Sequence, residues 1–152
     1  MLQRKQTIFM FIALLMAVLM LLSPIVAVEK DGLHTLYGNG TITSNLVSVT
    51  TIFFNLIPIT LGILISLISV AIGFFKKRNV QVLFNRLSIS IWLVVICIVL
   101  IKLDTIEKLL GILVFKIEIG SIAPLVAIFM HTYAIRFIKK DINLIKSQDR
   151  IR

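Results

Sequence analysis

Two side chains in the apolar parts of this 152-residue chain have chemistry of their own, His131 and Cys97. A histidine in such a segment can relay protons, contact a quinone or ligate a haem iron. Cys97 has no histidine or second cysteine near it, and we interpret it as a packing residue. His131 also has an ordinary structural interpretation, as a neutral histidine that shares a hydrogen bond with one nearby hydroxyl: Ser66, Ser69, Ser88, Ser90 or Thr132.

The rest of the sequence argues against catalysis. A haem held by two histidines of this chain is excluded, because the other histidine, His34, belongs to a loop on the opposite side from His131. All seven Asp and Glu residues lie outside the apolar runs, so no carboxylate is placed to carry protons through a membrane. No glycine-rich phosphate loop, zinc-binding spacing or nucleophile elbow occurs. We therefore predict no enzymatic activity, no cofactor and no metal site.

Four apolar runs must position these side chains: Thr7–Val28, Ile52–Phe75, Leu83–Ile101 and Ile119–Ile138. Each has about the ~20 residues that a helix needs to cross ~30 Å of hydrocarbon. The chain is 59% hydrophobic, against roughly 45–50% in soluble domains. The first run is longer than the apolar core of a signal peptide, so we expect it to be retained. The sequence predicts one all-α integral membrane domain, a four-helix up-down bundle over residues 1–152.

The positive charge is concentrated at alternate junctions between the runs. Most basic residues lie at the N-terminus, at Lys76–Arg78 and in the C-terminal segment, whereas the other two connections are mixed in charge. Because short cytoplasmic loops are enriched in Lys and Arg, this pattern predicts that both termini are cytoplasmic. Topology alone accounts for the net charge of +9, so we expect no nucleic-acid partner.

A small-residue stripe occurs in the second run: Gly62, Ser66, Ser69 and Gly73, at helical spacing. Small residues on one face let a neighbouring helix approach closely. The stripe is either packed inside the bundle or a docking face for a second copy or another subunit. Pro58, in the same run, predicts a kink because it removes a backbone hydrogen bond.

A histidine seam occurs in the fourth run: Gly120, Pro124, Ala127, His131 and Ala134, also at helical spacing. We expect this face to pack against a neighbouring helix. At the start of the third run, Gln81, Asn85 and Arg86 are expected to extend to the lipid headgroups.

The outer connections predict some β structure and one short helix. Residues 33–44 place Thr and aliphatic residues on both sides of a Gly-Asn-Gly turn, which favours a β-hairpin. Val114–Ile119 alternates like a strand and is a candidate to pair with that hairpin. Asp104–Leu110 is interpreted as a separate amphipathic helix on the membrane surface.

The fourth helix is predicted to continue past the membrane, because Ile135, Ile138, Ile142 and Ile145 keep helical spacing. We call the end of this helix, from Arg136 onward, the basic tail. Residues 139–152 are expected to lie in the cytoplasm. Such a tail can bind anionic headgroups or an acidic protein surface. Its charged residues are Arg136, Lys139, Lys140, Asp141, Lys146, Asp149, Arg150 and Arg152.

Both ends of the chain carry a recognisable pattern. Residues 1–7 read MLQRKQT, and 134–152 read AIRFIKKDINLIKSQDRIR. These segments, with Lys77-Arg78 followed by Gln81 in the central turn, resemble domain-of-unknown-function family 4293, a family of small bacterial four-span proteins. Ile142 is a departure, because that family more often has an acid there. The resemblance implies the four-span topology and a bacterial inner membrane. It implies no activity.

Taken from the sequence, the expected function is that of a non-enzymatic accessory or assembly subunit of a larger inner-membrane complex. It would act through helix packing and the basic tail. The expected partners are anionic lipid headgroups and another membrane subunit or a second copy. The alternative is a small transporter or channel component, or a quinone-binding subunit, that uses His131.

Overall fold

The computed structural model describes residues 2–29, 33–37, 42–43, 56–74, 77–110 and 114–149. Within them lie four helices, α1 (Leu2–Leu22), α2 (Leu56–Gly73), α3 (Arg78–Leu110) and α4 (Ala123–Asp149). The strands are β1 (Pro24–Glu29), β2 (Leu33–Tyr37), β3 (Ile42–Thr43) and β4 (Val114–Ile117), and a 3-10 turn covers Ile119–Ser121. All four helices are long and apolar enough to cross a membrane, so the chain is a multi-pass membrane protein.

The helices form a ring in which each neighbour runs antiparallel. α1 packs against α2 and α4, and α3 packs against the same two helices. The predicted up-down bundle is therefore confirmed. One end of the bundle carries the start of α1, the turn at Lys77 and the end of α4, and we call it the terminal end. The opposite end carries the strands, and we call it the sheet end.

The first apolar run is two elements rather than one span, so its predicted boundary at Val28 is wrong. α1 ends at Leu22, and the Ser23 hydroxyl donates to the Leu19 carbonyl at 2.6 Å. Pro24 lacks an N–H and ends the helix, after which a β-branched stretch enters a sheet. β1 pairs with β2 on one side and β4 on the other, both antiparallel.

The predicted hairpin strands and the strand predicted within Val114–Ile119 are all present. β2 pairs with β3, giving the sheet order β3-β2-β1-β4. The Gly-Asn-Gly turn lies outside the described residues. β4 pairs with β1 rather than with the hairpin strands, because the end of the first apolar run occupies the middle of the sheet. The sheet lies at the sheet end of the bundle, and its strand β1 contributes the buried residues Ile25, Val26 and Ala27.

α3 is longer than the third apolar run. It includes Asp104–Leu110, which was expected to form a separate surface helix. Its 33 residues span roughly 50 Å at 1.5 Å per residue. The Lys108 ammonium donates to the Asp104 carboxylate at 2.7 Å, one turn apart. This hydrogen bond raises the pKa of Lys108. The helix therefore continues without a break through this segment to Leu110.

α4 likewise continues past the fourth apolar run, as predicted, and ends at Asp149. The run begins with the 3-10 turn, so Gly120 precedes the helix rather than lying in it. Pro58 lies in the first turn of α2, which begins at Leu56. A kink at Pro58 would change the direction of the chain just before it, and residues 51–55 lie outside the described residues.

The middle of the bundle is a tightly packed apolar core. Trp92 of α3 is fully buried and belongs to one cluster with Ala13 and Ala17 of α1 and Ala127 of α4. Alanines opposite the indole leave room for it, because side-chain volume in a close-packed core must be complementary. Trp92 is thus a packing residue of the bundle.

Candidate functional site

A layer of buried polar side chains lies between the core and the terminal end. Isolated polar groups are costly to bury, so such a layer needs hydrogen bonds inside the protein. We call it the polar layer; its members come from α1, α3 and α4, and they are Gln6, Gln81, Asn85, Ser88 and His131. Each exposes at most 1% of its surface.

Met10 of α1 lies at the centre of the polar layer. The Gln81 amide nitrogen Nε2 lies 3.4 Å from the Met10 sulfur and donates to the Ala71 carbonyl of α2 at 3.2 Å. The Asn85 nitrogen Nδ2 lies 3.6 Å from the same sulfur and donates to the Gln81 carbonyl at 2.8 Å. Ala134 of α4 shares an apolar cluster with Met10 and Ala71, so all four helices meet here.

The expectation that Gln81 and Asn85 extend to the headgroups is wrong. α3 begins at Arg78, which places both residues in its first two turns, on the face that packs against α1 and α2. Their amide donors bond to atoms of those helices rather than to headgroups. Arg86, on the outer face of α3, is exposed.

His131 is held by Asn85, a partner that was not among the candidates. Its Nδ1 lies 2.8 Å from Asn85 Oδ1. Because Asn85 Nδ2 is directed at other acceptors, Oδ1 accepts, and the network assigns the proton of the neutral ring to Nδ1. His131 Nε2 then carries a lone pair, and no partner in the described part of the chain reaches it.

The five hydroxyl candidates for His131 bond elsewhere. Each one donates to a carbonyl three or four residues earlier in its own helix; they are Ser66, Ser69, Ser88, Ser90 and Thr132. Hydroxyl groups within helices commonly make this local bond. An amide side chain, which has both a donor and an acceptor, was the better candidate to bridge two helices.

The polar layer leaves three buried acceptors without a donor: Gln6 Oε1, Gln81 Oε1 and His131 Nε2. Groups of this kind accept hydrogen bonds from water or from a donor group on a ligand. No cluster of three His, Cys, Asp or Glu side chains occurs among the described residues. The chemistry that these side chains support is neutral hydrogen bonding, which orients helices against one another.

The histidine seam faces the interior along its whole length, as its spacing predicted. Gly120, Pro124, Ala127, His131 and Ala134 are all buried. Gly120 is the tightest point, because a Cβ built there would lie 2.6 Å from the Pro24 carbonyl oxygen and 2.9 Å from Ser23 Oγ. The glycine therefore permits the start of β1 to approach the 3-10 turn that precedes α4.

The small-residue stripe faces outward instead. Gly62, Ser66, Ser69 and Gly73 are all exposed, and a Cβ at either glycine meets no atom within 4 Å. The opposite face of α2 packs against the bundle through its aliphatic residues: Ile57, Leu61, Leu64 and Ile68, with Ala71. Packing inside the bundle is therefore the wrong interpretation of the stripe. Cys97, expected to be buried, is also exposed.

At the terminal end, an ion pair joins two helices. Arg78 Nε lies 2.8 Å from Asp141 Oδ2, and both side chains are largely buried. Lys139 and Lys140 are the cations nearest to Asp141 in the sequence. Neighbours one or two positions apart on a helix point in different directions, so Asp141 bonds across to α3. Arg136, Lys139 and Lys140 are exposed, and the side chains of Lys146, Asp149, Arg150 and Arg152 lie outside the described set.

Two surface cavities accompany these features. A groove of about 470 Å³ runs along the end of α4, and Arg136, Lys139 and Lys140 line it together with Asn143 and Leu144. An apolar cleft of about 210 Å³ lies near the sheet end between β1, α3 and α4, with Val26, Leu100 and Pro124 among its lining residues.

Comparison with known proteins assigns the family but no activity. No curated protein and no solved structure matches this chain. The family model described as domain of unknown function DUF4293 matches residues 2–151, and the chain belongs to that family.

Proposed function

We propose that this protein is a non-enzymatic accessory or assembly subunit of a larger complex in the bacterial inner membrane. The observation that supports this proposal best is the outward position of the small-residue stripe. Elsewhere the outer surface consists largely of bulky apolar side chains, including Phe11, Leu15, Leu93, Leu125 and Phe129. The stripe interrupts that surface with glycine and serine, the residue types enriched at helix–helix contacts in membranes.

Two contacts fix helices of the bundle relative to one another, and the first of them orients α2, which carries the stripe. The Gln81 side chain bonds to the backbone of α2 at Ala71 and so fixes α2 against α3. The Arg78–Asp141 ion pair fixes the extension of α4 against the start of α3. A subunit that acts by docking gains affinity when its binding surface is already ordered, because less conformational entropy is lost on binding.

We place the terminal end in the cytoplasm. This end carries the exposed cations Lys5, Lys77, Lys139 and Lys140, while the described exposed residues near the sheet end include both Lys116 and Glu107. Thiol labelling tests the orientation in a variant that lacks Cys97. A membrane-impermeant maleimide should label Ile117→Cys in intact spheroplasts and Lys77→Cys only after permeabilisation. Labelling of both from the same side would refute the topology.

Recovery of a partner complex tests the function. The tagged protein, purified in mild detergent from its own host, should bring down a fixed set of other membrane subunits. Gly62→Leu and Gly73→Leu should lower that recovery at least tenfold, because a leucine side chain holds the facing backbone away. Both variants should keep wild-type thermal stability, since the added Cβ meets open space. Cys97→Leu is the matched control, a small exposed residue enlarged on a different helix.

One observation favours the alternative, a transport or quinone-binding role for His131. Its Nε2 is a buried acceptor without a described partner, and a quinol hydroxyl is a suitable donor. Purification as a lone protein with substrate-dependent flux or quinone binding, lost in His131→Gln, would favour that role and contradict the accessory role.

A further inference from the structure

The groove along the end of α4 is shallow and strongly positive. Its five lining residues are Arg136, Lys139, Lys140, Asn143 and Leu144. Three of them are cations, one is a neutral amide that can donate hydrogen bonds, one is apolar, and none is a carboxylate. We call this feature the basic groove.

The ion pair sets the depth of the basic groove relative to the membrane. Arg78 is the first residue of α3 and follows the turn at Lys77 that joins two spans, so it lies at the membrane surface. Asp141 contacts Arg78 and therefore lies at the same level. Lys139 and Lys140 immediately precede Asp141. Arg136 lies five residues before it, roughly 7 Å closer to the hydrocarbon at 1.5 Å per residue.

The same ion pair removes the nearest negative charge from the basic groove. The Asp141 side chain is directed at Arg78, away from the exposed face that carries Arg136 and Lys140. The Arg136 guanidinium lies 5.7 Å from the centre of the Tyr133 ring, which is exposed one turn nearer the core. This contact keeps the guanidinium on the outer face of α4 at the interface. Tyr133 is of the residue type that favours the headgroup region.

We propose that the basic groove binds the phosphate of an anionic phospholipid headgroup in the leaflet at the terminal end. Arginine bonds phosphate oxygens in a bidentate manner, and the lysines add charge around the same point. Asn143 supplies a neutral donor for the rest of the headgroup, and Leu144 supplies an apolar wall. The groove thus fits a phosphodiester of net negative charge better than a zwitterionic headgroup, whose own cation would meet three cations.

Native mass spectrometry of the full-length chain in a neutral detergent tests the proposal. Phosphatidylglycerol, phosphatidylcholine with the same acyl chains, and inorganic phosphate are titrated separately. This readout does not depend on membrane orientation or on any partner subunit. The variant is Lys139→Gln with Lys140→Gln, and the matched control is Lys5→Gln with Lys77→Gln, two exposed lysines at the same end.

We expect the wild-type chain to retain phosphatidylglycerol much more tightly than phosphatidylcholine. The groove variant should lower that affinity by about tenfold, because two of the three cations around the bound phosphate are removed. The control should stay close to the wild type. Arg136→Lys should give an intermediate loss, because the charge is kept and the bidentate geometry is not. All substituted side chains are exposed, so unfolding temperatures should match.

Four results would overturn the proposal. Equal retention of the two lipids, or an equal loss in the control, would mean that the binding is general surface electrostatics. Inorganic phosphate that binds as tightly as the lipid would make the groove a free-anion site. A poly-glutamate peptide that binds more tightly than phosphatidylglycerol, with loss in the groove variant, would assign the groove to an acidic protein segment.

Discussion

At the scale of single residues, two positions have surroundings that restrict substitution most sharply. Gly120 lies under the backbone of β1, and Asn85 joins three helices through its amide. In the first case, the restriction is steric, because there is no volume for a side chain. In the second case, the restriction comes from hydrogen bonding, because a buried donor or acceptor that loses its partner still pays the full free-energy cost of leaving water.

Gly120→Ala should destabilise the protein by about 1–3 kcal/mol, the typical cost of overpacking. The added methyl would lie 2.6 Å from the Pro24 carbonyl oxygen, so β1 or α4 must move. Thermal unfolding in detergent measures the change. Gly62→Ala is the control, since its Cβ meets open space and alanine favours a helix. Equal stability of the two variants would contradict the close approach.

Asn85→Ala should cost about 1–3 kcal/mol, because it leaves buried polar groups without partners. A double-mutant cycle with His131→Leu isolates the Asn85–His131 bond, and we expect a coupling of about 1 kcal/mol in a membrane protein. The two single changes and the double change are compared by denaturant unfolding of the detergent-solubilised chain. Strict additivity would show that the 2.8 Å contact contributes nothing to stability.

At the scale of secondary-structure elements, the long helices α3 and α4 extend beyond the core and are joined by one ion pair. The Arg78–Asp141 contact connects the first residue of α3 to the extension of α4. It keeps that extension beside the bundle and orients the basic groove outward. The α4 extension is thus positioned by Arg78, which is distant in sequence, and not by the lysines next to Asp141.

Exchanging the two charges tests this role. Arg78→Asp and Asp141→Arg should each increase amide hydrogen exchange in residues 139–149, since the α4 extension loses its attachment. The double variant should restore protection, and each single exchange should cost more than the ~1 kcal/mol of an exposed pair, because two like charges then meet at a largely buried position. Arg86→Asp, an exposed cation of the same helix, should leave exchange unchanged. If the double variant exchanges as fast as the singles, the pair does not position the extension.

At the scale of the whole molecule, the bundle separates a closed interior from two outward surfaces. The interior contains the core and the polar layer, and the outer surfaces are the small-residue stripe and the basic tail. If the protein is an accessory subunit, the outward surfaces should be more sensitive than the interior histidine.

Deletion of Ile142–Arg152 should release the partner complex while membrane insertion is kept, because four spans and the Arg78–Asp141 pair remain. His131→Gln should have the smaller effect on partner recovery, since glutamine can still bond to Asn85. Both are compared at matched expression, with partner recovery as the readout. Full recovery by the truncated chain, beside loss of function in His131→Gln, would reverse the ranking and favour transport or quinone binding.

The sequence by itself determined the four-span, all-α membrane architecture, the hairpin of the sheet and the long α4. Each of these follows from a local pattern: run length against bilayer thickness, alternation in a strand, and helical spacing past the membrane edge. The sequence likewise predicted that the histidine seam packs inside the bundle, since its five small or polar positions recur on one helical face. Hydrophobic length did not reveal that the first run divides at Pro24, because apolar strands and apolar helices share the same composition.

Only the tertiary structure decided which polar groups face inward and which small residues face outward. In a membrane, lipid and core are both apolar, so hydrophobicity does not distinguish the two sides of a helix. The sequence therefore predicted that Gln81 and Asn85 contact the headgroups. Inside the bundle they bond instead to Met10, Ala71 and His131. For the same reason the sequence left open whether the small-residue stripe packs inside the bundle or faces outward. Which face of α2 packs inward depends on where α1 and α3 lie, and residues distant in sequence set that position.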